Sequence, residues 1–369
     1  MSEKKWPAWL PLRQDLQPLS PYGAPQVPAE ATLNTNENPY APSPELAKAI
    51  SDRIHQVALN LNRYPDRDAL LLRKSLAAFI NNLSSTSFNA DQIWAANGSN
   101  EIIQSLFMAF GDRPTLGFTP SYSMHPLIAK VIGVQWVDGG RRPDFSLDLE
   151  QAVKQISQEK PSLTFVTTPN NPTGTVITLD EIAVLADAAA RVNGLLVVDE
   201  AYAEFSNLPS AVTLIKKYPN LIVIRTMSKA FAFAGARLGY LIADQEIVSA
   251  MFLVRLPYHL SSLTQAAAEV ALEFQAELLG TVSSLINARE LVTSELGKMG
   301  LQVVPSQANF ILFTGFRLEQ GQLWRQLLDR GVLIRDVGLL GHLRMTIGNE
   351  AENRKFIAAL QEILNGESQ

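Results

Sequence analysis

Four polar clusters in this chain each follow a short apolar run, and each carries groups able to do chemistry. Asn97-Gly98-Ser99-Asn100-Glu101 joins a turn-permitting glycine to the opening of a helical pattern. Such a junction offers free backbone N–H groups, as a phosphate cradle or as an ordinary capped turn. Thr168-Pro169-Asn170-Asn171-Pro172-Thr173-Gly174 holds side-chain amides in a loop stiffened by proline. An amide there can donate to a phenolate-like oxygen or accept from an ammonium. In Val197-Val198-Asp199-Glu200-Ala201-Tyr202 a carboxylate ends an apolar strand, which is costly unless a cation pairs with it. That cation belongs either to a structural salt bridge or to a ligand, and Tyr202 can face the same space from the next turn. The fourth cluster, Arg225-Thr226-Met227-Ser228-Lys229, runs on through small and aromatic residues to Arg237. Most lysines are solvated surface residues, but one in apolar surroundings loses basicity and becomes a nucleophile suited to a Schiff base with an aldehyde. Thr226 and Ser228 add hydroxyls, and Arg237 a fork for phosphate.

The set is more specific than its members. An amine for an aldehyde, a carboxylate for a pyridinium nitrogen, donors for a phenolic oxygen and a phosphate cup are together what pyridoxal 5′-phosphate requires. Composition closes other routes. The 369 residues include no cysteine, which excludes disulfides, zinc–thiolate sites, iron–sulfur clusters and cysteine nucleophiles. Four widely spaced histidines argue against a multi-histidine metal centre, so no metal is expected. A net charge of −5 and a pI near 5.5 leave no basic footprint for nucleic acid or anionic membrane. Apolar runs such as Leu221–Ile224 are too short to span a bilayer, and no signal-peptide core is visible, so the cytoplasm is the expected location.

The elements that must position these groups can be read from periodicity. Strands are expected at Gln92–Ala96, Thr115–Phe118, Gln135–Val137, Leu163–Thr167, Leu195–Val198, Leu221–Arg225 and Leu238–Ile242. Amphipathic helices are expected at Glu101–Phe110, Leu149–Ile156, Leu179–Val192 and Ala211–Lys217. Alternation of this kind implies crossover units and a mostly parallel sheet flanked by helices, an α/β architecture. Ligands of such sheets bind beyond the carboxyl ends of the strands, where the clusters fall. Residues 1–43 are expected to form a proline-rich arm packing with the small domain, 44–255 a large cofactor domain and 256–369 a smaller α+β domain. The last opens with one long helix from Ser262 to about Met299, then strands at Gln302–Val304, Asn309–Phe313 and Leu343–Ile347 and helices at Gln320–Asp329 and Glu352–Asn365.

On these residues the chain resembles the fold-type-I pyridoxal-phosphate aminotransferases, and within them the histidinol-phosphate aminotransferases. The resemblance runs from Leu33-Asn34-Thr35-Asn36-Glu37-Asn38-Pro39-Tyr40 to Leu343-Arg344-Met345-Thr346-Ile347-Gly348. It implies amino transfer between L-histidinol phosphate and 2-oxoglutarate, in histidine biosynthesis. It implies that Lys229 carries the cofactor's aldehyde and then moves protons, that Asp199 pairs with the ring N–H, and that Asn171 and Tyr202 contact the phenolic oxygen. Tyr122 would stack on the ring, while Ser99, Asn100, Thr226, Ser228 and Arg237 hold the phosphate. Tyr64, in Asn62-Arg63-Tyr64-Pro65-Asp66, matches a tyrosine that reaches into the neighbouring subunit of a homodimer. Arg335 and Arg344 match the arginines that bind substrate, Asn36 lies with the substrate-binding residues, and Tyr22 resembles a tyrosine of the arm that closes over the substrate phosphate. The chain departs from the family pattern at Thr168, where Asn is frequent, at Asn100, where Asp is frequent, and at His125, where another aromatic is common; His125 stands near Tyr122 and bears on substrate preference. On the same scaffold, an aromatic-amino-acid aminotransferase and a phosphothreonine decarboxylase are the alternatives; a non-enzymatic pyridoxal-phosphate-binding regulator is another, from a different class.

Overall fold

A computed structural model describes residues 6–21 and 23–366. After a short strand, β1 (Ala31–Thr32), come α1 (Pro44–Ala58) and α2 (Leu70–Ser84). The Ser43 hydroxyl accepts the Leu46 N–H at the start of α1, and Pro44 suits a first turn whose N–H groups have no helical partner. Seven strands follow: β2 (Ile93–Ala96), β3 (Thr115–Gly117), β4 (Trp136–Asp138), β5 (Leu163–Thr167), β6 (Leu195–Asp199), β7 (Leu221–Thr226) and β8 (Gly239–Ile242). They form one sheet in the order β2-β8-β7-β6-β5-β3-β4, parallel except for β8, which is antiparallel to both neighbours.

Both faces of this sheet are covered, which is why its central strands read as unbroken apolar runs. Val197, Ile222 and Ile224 face α3 (Ser99–Phe110), α4 (Met124–Ile132) and α7 (Gln245–Val254) in one cluster. Leu196, Val198 and Val223 point the other way, into a core shared with α5 (Leu149–Glu159) and α6 (Leu179–Arg191). Thr178 and Glu181 cap α6 reciprocally, Glu181 Oε2 accepting the Thr178 N–H at 2.7 Å.

Two helix expectations fail. Ala211–Lys217 supplies only a single 3-10 turn, Ala211–Leu214, because buried Glu200 accepts from Ser210 Oγ at 2.6 Å and from the Ala211 N–H at 2.7 Å, fixing its start. The long helix divides at Phe274 into α8 (Ser262–Glu273) and α9 (Gln275–Lys298). Phe274 leaves helical backbone at φ −98° and ψ 19° and packs its ring on the core.

The rest of the chain supplies β9 (Gln302–Val303), β10 (Phe310–Thr314), α10 (Gln320–Asp329), β11 (Val332–Leu333), β12 (Arg335–Asp336), β13 (Leu343–Thr346) and α11 (Glu350–Gly366). A four-stranded antiparallel sheet runs β12-β13-β10-β9, while β1 pairs in parallel with β11, stitching the arm to this C-terminal part. Among the described residues no helix is long and apolar enough to cross a membrane.

Candidate active site

Register in the large sheet brings the polar clusters to one edge. Thr167 of β5 pairs with Asp199 of β6, and Gly239 of β8 pairs with both Thr226 of β7 and Ala96 of β2. Loops leaving these ends line a cavity of about 780 Å³. Asn36, Ser99, Asn100, Tyr122, Asn171, Asp199, Tyr202, Thr226, Ser228, Lys229, Arg237, Arg335 and Arg344 all line it. Tyr64 does not: it is 79% exposed and stacks on Tyr258, with 4.4 Å between ring centroids. Tyr22 lies outside the described residues.

Asp199 is buried at the end of β6, with Oδ1 accepting the Ala201 N–H at 3.2 Å and Oδ2 3.1 Å from Nε2 of buried His125. His125 meets Tyr122 edge-on, yet its polar contact is with the carboxylate. The sequence placed His125 beside Tyr122 and could not place it under Asp199, since the two meet only once α4 packs on the sheet.

Tyr202 receives two amides: Asn171 Nδ2 donates to its hydroxyl oxygen at 3.3 Å and Asn36 Nδ2 at 2.9 Å. Arg344 holds Asn171 in turn, Nη1 donating to Oδ1 at 2.6 Å, while Nη2 donates to the Asn34 carbonyl at 2.7 Å. Arg335 and Arg344 are directly opposite on β12 and β13. Two cations facing each other across a strand pair repel, so the arrangement favours an anion between them.

Lys229 stands just beyond β7, and its Nζ donates to the Thr35 carbonyl at 2.9 Å. Burial first and the Arg344 charge second bring the amine down to about 8, with Glu37 opposing the shift. Near neutral pH such an amine has an appreciable nucleophilic fraction. Thr35 and Asn34 act here through backbone carbonyls, which no side-chain pattern announces.

Two glycines preserve space beside Arg237 and Ser99. Gly98 has φ +81°, and a Cβ there would come within 2.9 Å of Arg237 Nη2. A Cβ at Gly239 would lie 2.5 Å from the Ser99 nitrogen. Beside them Thr226 Oγ1 donates to Ser228 Oγ at 3.0 Å. The first N–H groups of α3, two hydroxyls and a guanidinium form a donor set that fits a phosphate. With the Lys229 amine and the Asp199 carboxylate lining the same cavity, the residues present fit pyridoxal 5′-phosphate.

The chain matches a family model described as aminotransferase class I and II over residues 30–360. It is 51% identical over 363 residues to the histidinol-phosphate aminotransferase of Mycolicibacterium smegmatis, covering 98% of this chain and 95% of that one. The histidinol-phosphate aminotransferase of Nocardia farcinica is 52% identical over 367 residues, covering 97% and 94%. Among solved structures, the histidinol-phosphate aminotransferase from Clostridium acetobutylicum superposes with a TM-score of 0.81 at 27% identity, covering 90% of this chain and 98% of that one. The enzyme of that name from Sinorhizobium meliloti, solved in complex with pyridoxal-5′-phosphate, shares the fold at a TM-score of 0.84 and 24% identity, covering 98% and 99%. A match from residue 30 to residue 360, over a sheet whose strand ends converge on one lysine, places the chain in a known group: it belongs to the class I and II aminotransferases.

Proposed function

We propose that the protein transfers an amino group between L-histidinol phosphate and 2-oxoglutarate, using pyridoxal 5′-phosphate, as a step of histidine biosynthesis. What carries this reading is the shared cavity of Lys229 and the opposed pair Arg335 and Arg344, in a chain about half identical over nearly its whole length to relatives of that name. An amine donor bearing a phosphate and an acceptor bearing two carboxylates both need an arginine pair at a distance from the reacting nitrogen.

When bound, pyridoxal 5′-phosphate supplies an electron sink for the charge left as a substrate proton departs. This chain's residues do the rest. Arg237, Thr226, Ser228 and the backbone at Ser99 and Asn100 would hold the phosphate, and Tyr122 would cover the ring. Asp199, steadied by His125, would keep a proton on the ring nitrogen. Tyr202 and Asn171 would address the phenolic oxygen. Lys229, with basicity lowered to about 8, can hold and release a proton at Nζ near neutral pH. Arg344 would take a carboxylate and Arg335 the phosphate monoester or the second carboxylate.

We read the chain as an arm, a large domain and a small domain divided near residues 43 and 255, and as a homodimer in which Tyr64 reaches the partner's cavity. Exposed Leu59, Leu71, Leu253 and Leu256, near Tyr64 or Tyr258 in sequence, support a second copy covering that face.

The test compares kcat/KM for histidinol phosphate, phenylalanine and phosphothreonine with 2-oxoglutarate as acceptor. Histidinol phosphate should be the best donor, and Arg335→Ala should lower its kcat/KM by roughly 2 kcal/mol, about thirtyfold, as a charge-assisted contact is lost. A better rate with phenylalanine, or carbon dioxide release from phosphothreonine, would replace the reading with the aromatic or decarboxylating alternative.

A further inference from the structure

Asn36 lines the cavity, yet its hydrogen-bonding groups are already engaged by the protein. It is 1% exposed and takes φ +57°, a left-handed backbone that Asn tolerates better than most residues. Its N–H donates to Thr346 Oγ1 at 2.9 Å, its carbonyl accepts from Asn309 Nδ2 at 3.1 Å, and its Oδ1 accepts from Thr346 Oγ1 at 2.9 Å. Its Nδ2 donates to the Tyr202 hydroxyl at 2.9 Å.

These contacts fix the amide's orientation. The Thr346 hydroxyl already accepts from the Asn36 backbone, and its single proton goes to Oδ1; turning the amide over would deprive that buried proton of its acceptor. Asn171 is fixed even more firmly, because its Oδ1 faces an Arg344 nitrogen that can only donate. Both amides therefore present N–H groups to Tyr202, and the two acceptor positions of the phenol oxygen are filled.

We propose that Asn36, oriented by Thr346, is a positioning residue that makes Tyr202 an obligatory hydrogen-bond donor and a stronger acid. The two N–H groups donated to its oxygen stabilise the Tyr202 anion. The proposal deepens the reading of Tyr202 as partner of a phenolic oxygen and rests on it. It also moves Asn36 away from direct substrate contact, where the sequence had placed it.

The test begins with cofactor-free protein. Ultraviolet pH titration of wild type, Asn36→Gly and Thr346→Val, each read against the same background carrying Tyr202→Phe, isolates the Tyr202 ionisation. Glycine keeps the left-handed backbone accessible, and Thr346→Val leaves Asn36 in place as a second route should the first variant fold poorly. Tyr202 should ionise about one pH unit higher in Asn36→Gly and less than that in Thr346→Val. In the cofactor-loaded enzyme, Asn36→Gly should lower kcat about tenfold and leave KM for 2-oxoglutarate within about twofold. An unmoved Tyr202 titration in both variants overturns the proposal, as does a rise in KM with kcat intact, which would mark Asn36 as a substrate contact. The titration contains no substrate, so its result stands whichever amino donor the enzyme prefers.

Discussion

At the scale of single residues the site depends on Lys229. The folded protein lets this amine lose its proton near pH 8, through burial first and the Arg344 charge second, whereas an unfolded lysine keeps its proton to about 10.4. Between those values the unfolded chain binds more protons than the folded one. Stability of the cofactor-free protein should therefore rise with pH across that window, and the gain should be absent below pH 8. Urea midpoints at pH 8 and pH 10, compared between wild type and Lys229→Met, isolate the contribution; equal pH slopes in the two would refute it. That Lys229, Asp199, Asn171 and Tyr202 line one cavity could be expected from the sequence because polar groups just after apolar strands are unusual. His125 was not, since its partner Asp199 is 74 positions away and neither residue's neighbours hint at the other. Carbonyls such as those of Thr35 and Asn34 are illegible in principle, for every residue carries one.

At the scale of elements, the strands that hold these residues are themselves held by a buried ion cluster. Arg225 of β7 is 1% exposed, with Nη1 2.8 Å from Glu204 Oε1 and Nε 3.1 Å from Glu200 Oε2. Burial raises Glu204 despite the guanidinium, and the two carboxylates hold Arg225 above its ordinary value against its own burial. Glu200 directly follows Asp199 and Arg225 directly precedes Thr226, so the cluster pins β6 to β7 just below the cavity. Arg225→Met leaves two buried carboxylates without their cation and should cost about 3–5 kcal/mol in urea unfolding. A loss under 1 kcal/mol would show the cluster to be incidental. Strand and helix alternation was readable because a buried sheet imposes apolar runs that solvent-facing loops do not share. The break at Phe274 was not, since no Gly or Pro marks it and the cause is a ring drawn to the core. Two-residue strands such as β1 and β11 leave no periodicity to detect.

At the scale of the whole molecule, the mostly parallel sheet and a smaller part mixing strands and helices followed from pattern, while the antiparallel order of the smaller sheet and the parallel pairing of the arm with β11 did not. The proposed dimer makes a distinctive prediction, because each cavity would draw Lys229 from one copy and Tyr64 from the other. Lys229→Ala should be inactive and Tyr64→Ala strongly impaired. Refolded together from denaturant in equal amounts, they should recover roughly a quarter of wild-type activity, since half the dimers are mixed and each has one intact site. Mixtures no better than the average of the two variants would place Tyr64 outside the partner's site.

The contacts that join Asn34 and Asn36 to Arg344 and Thr346 span 310 positions. A ribosome delivers a chain from its N-terminus at about 5–20 residues per second, so the segment that shapes one wall of the cavity emerges long before the strand it needs. The large sheet can assemble while that segment waits. An unfinished chain released before residue 346 would thus carry Lys229 and Asp199 on a formed sheet with one wall of the cavity missing.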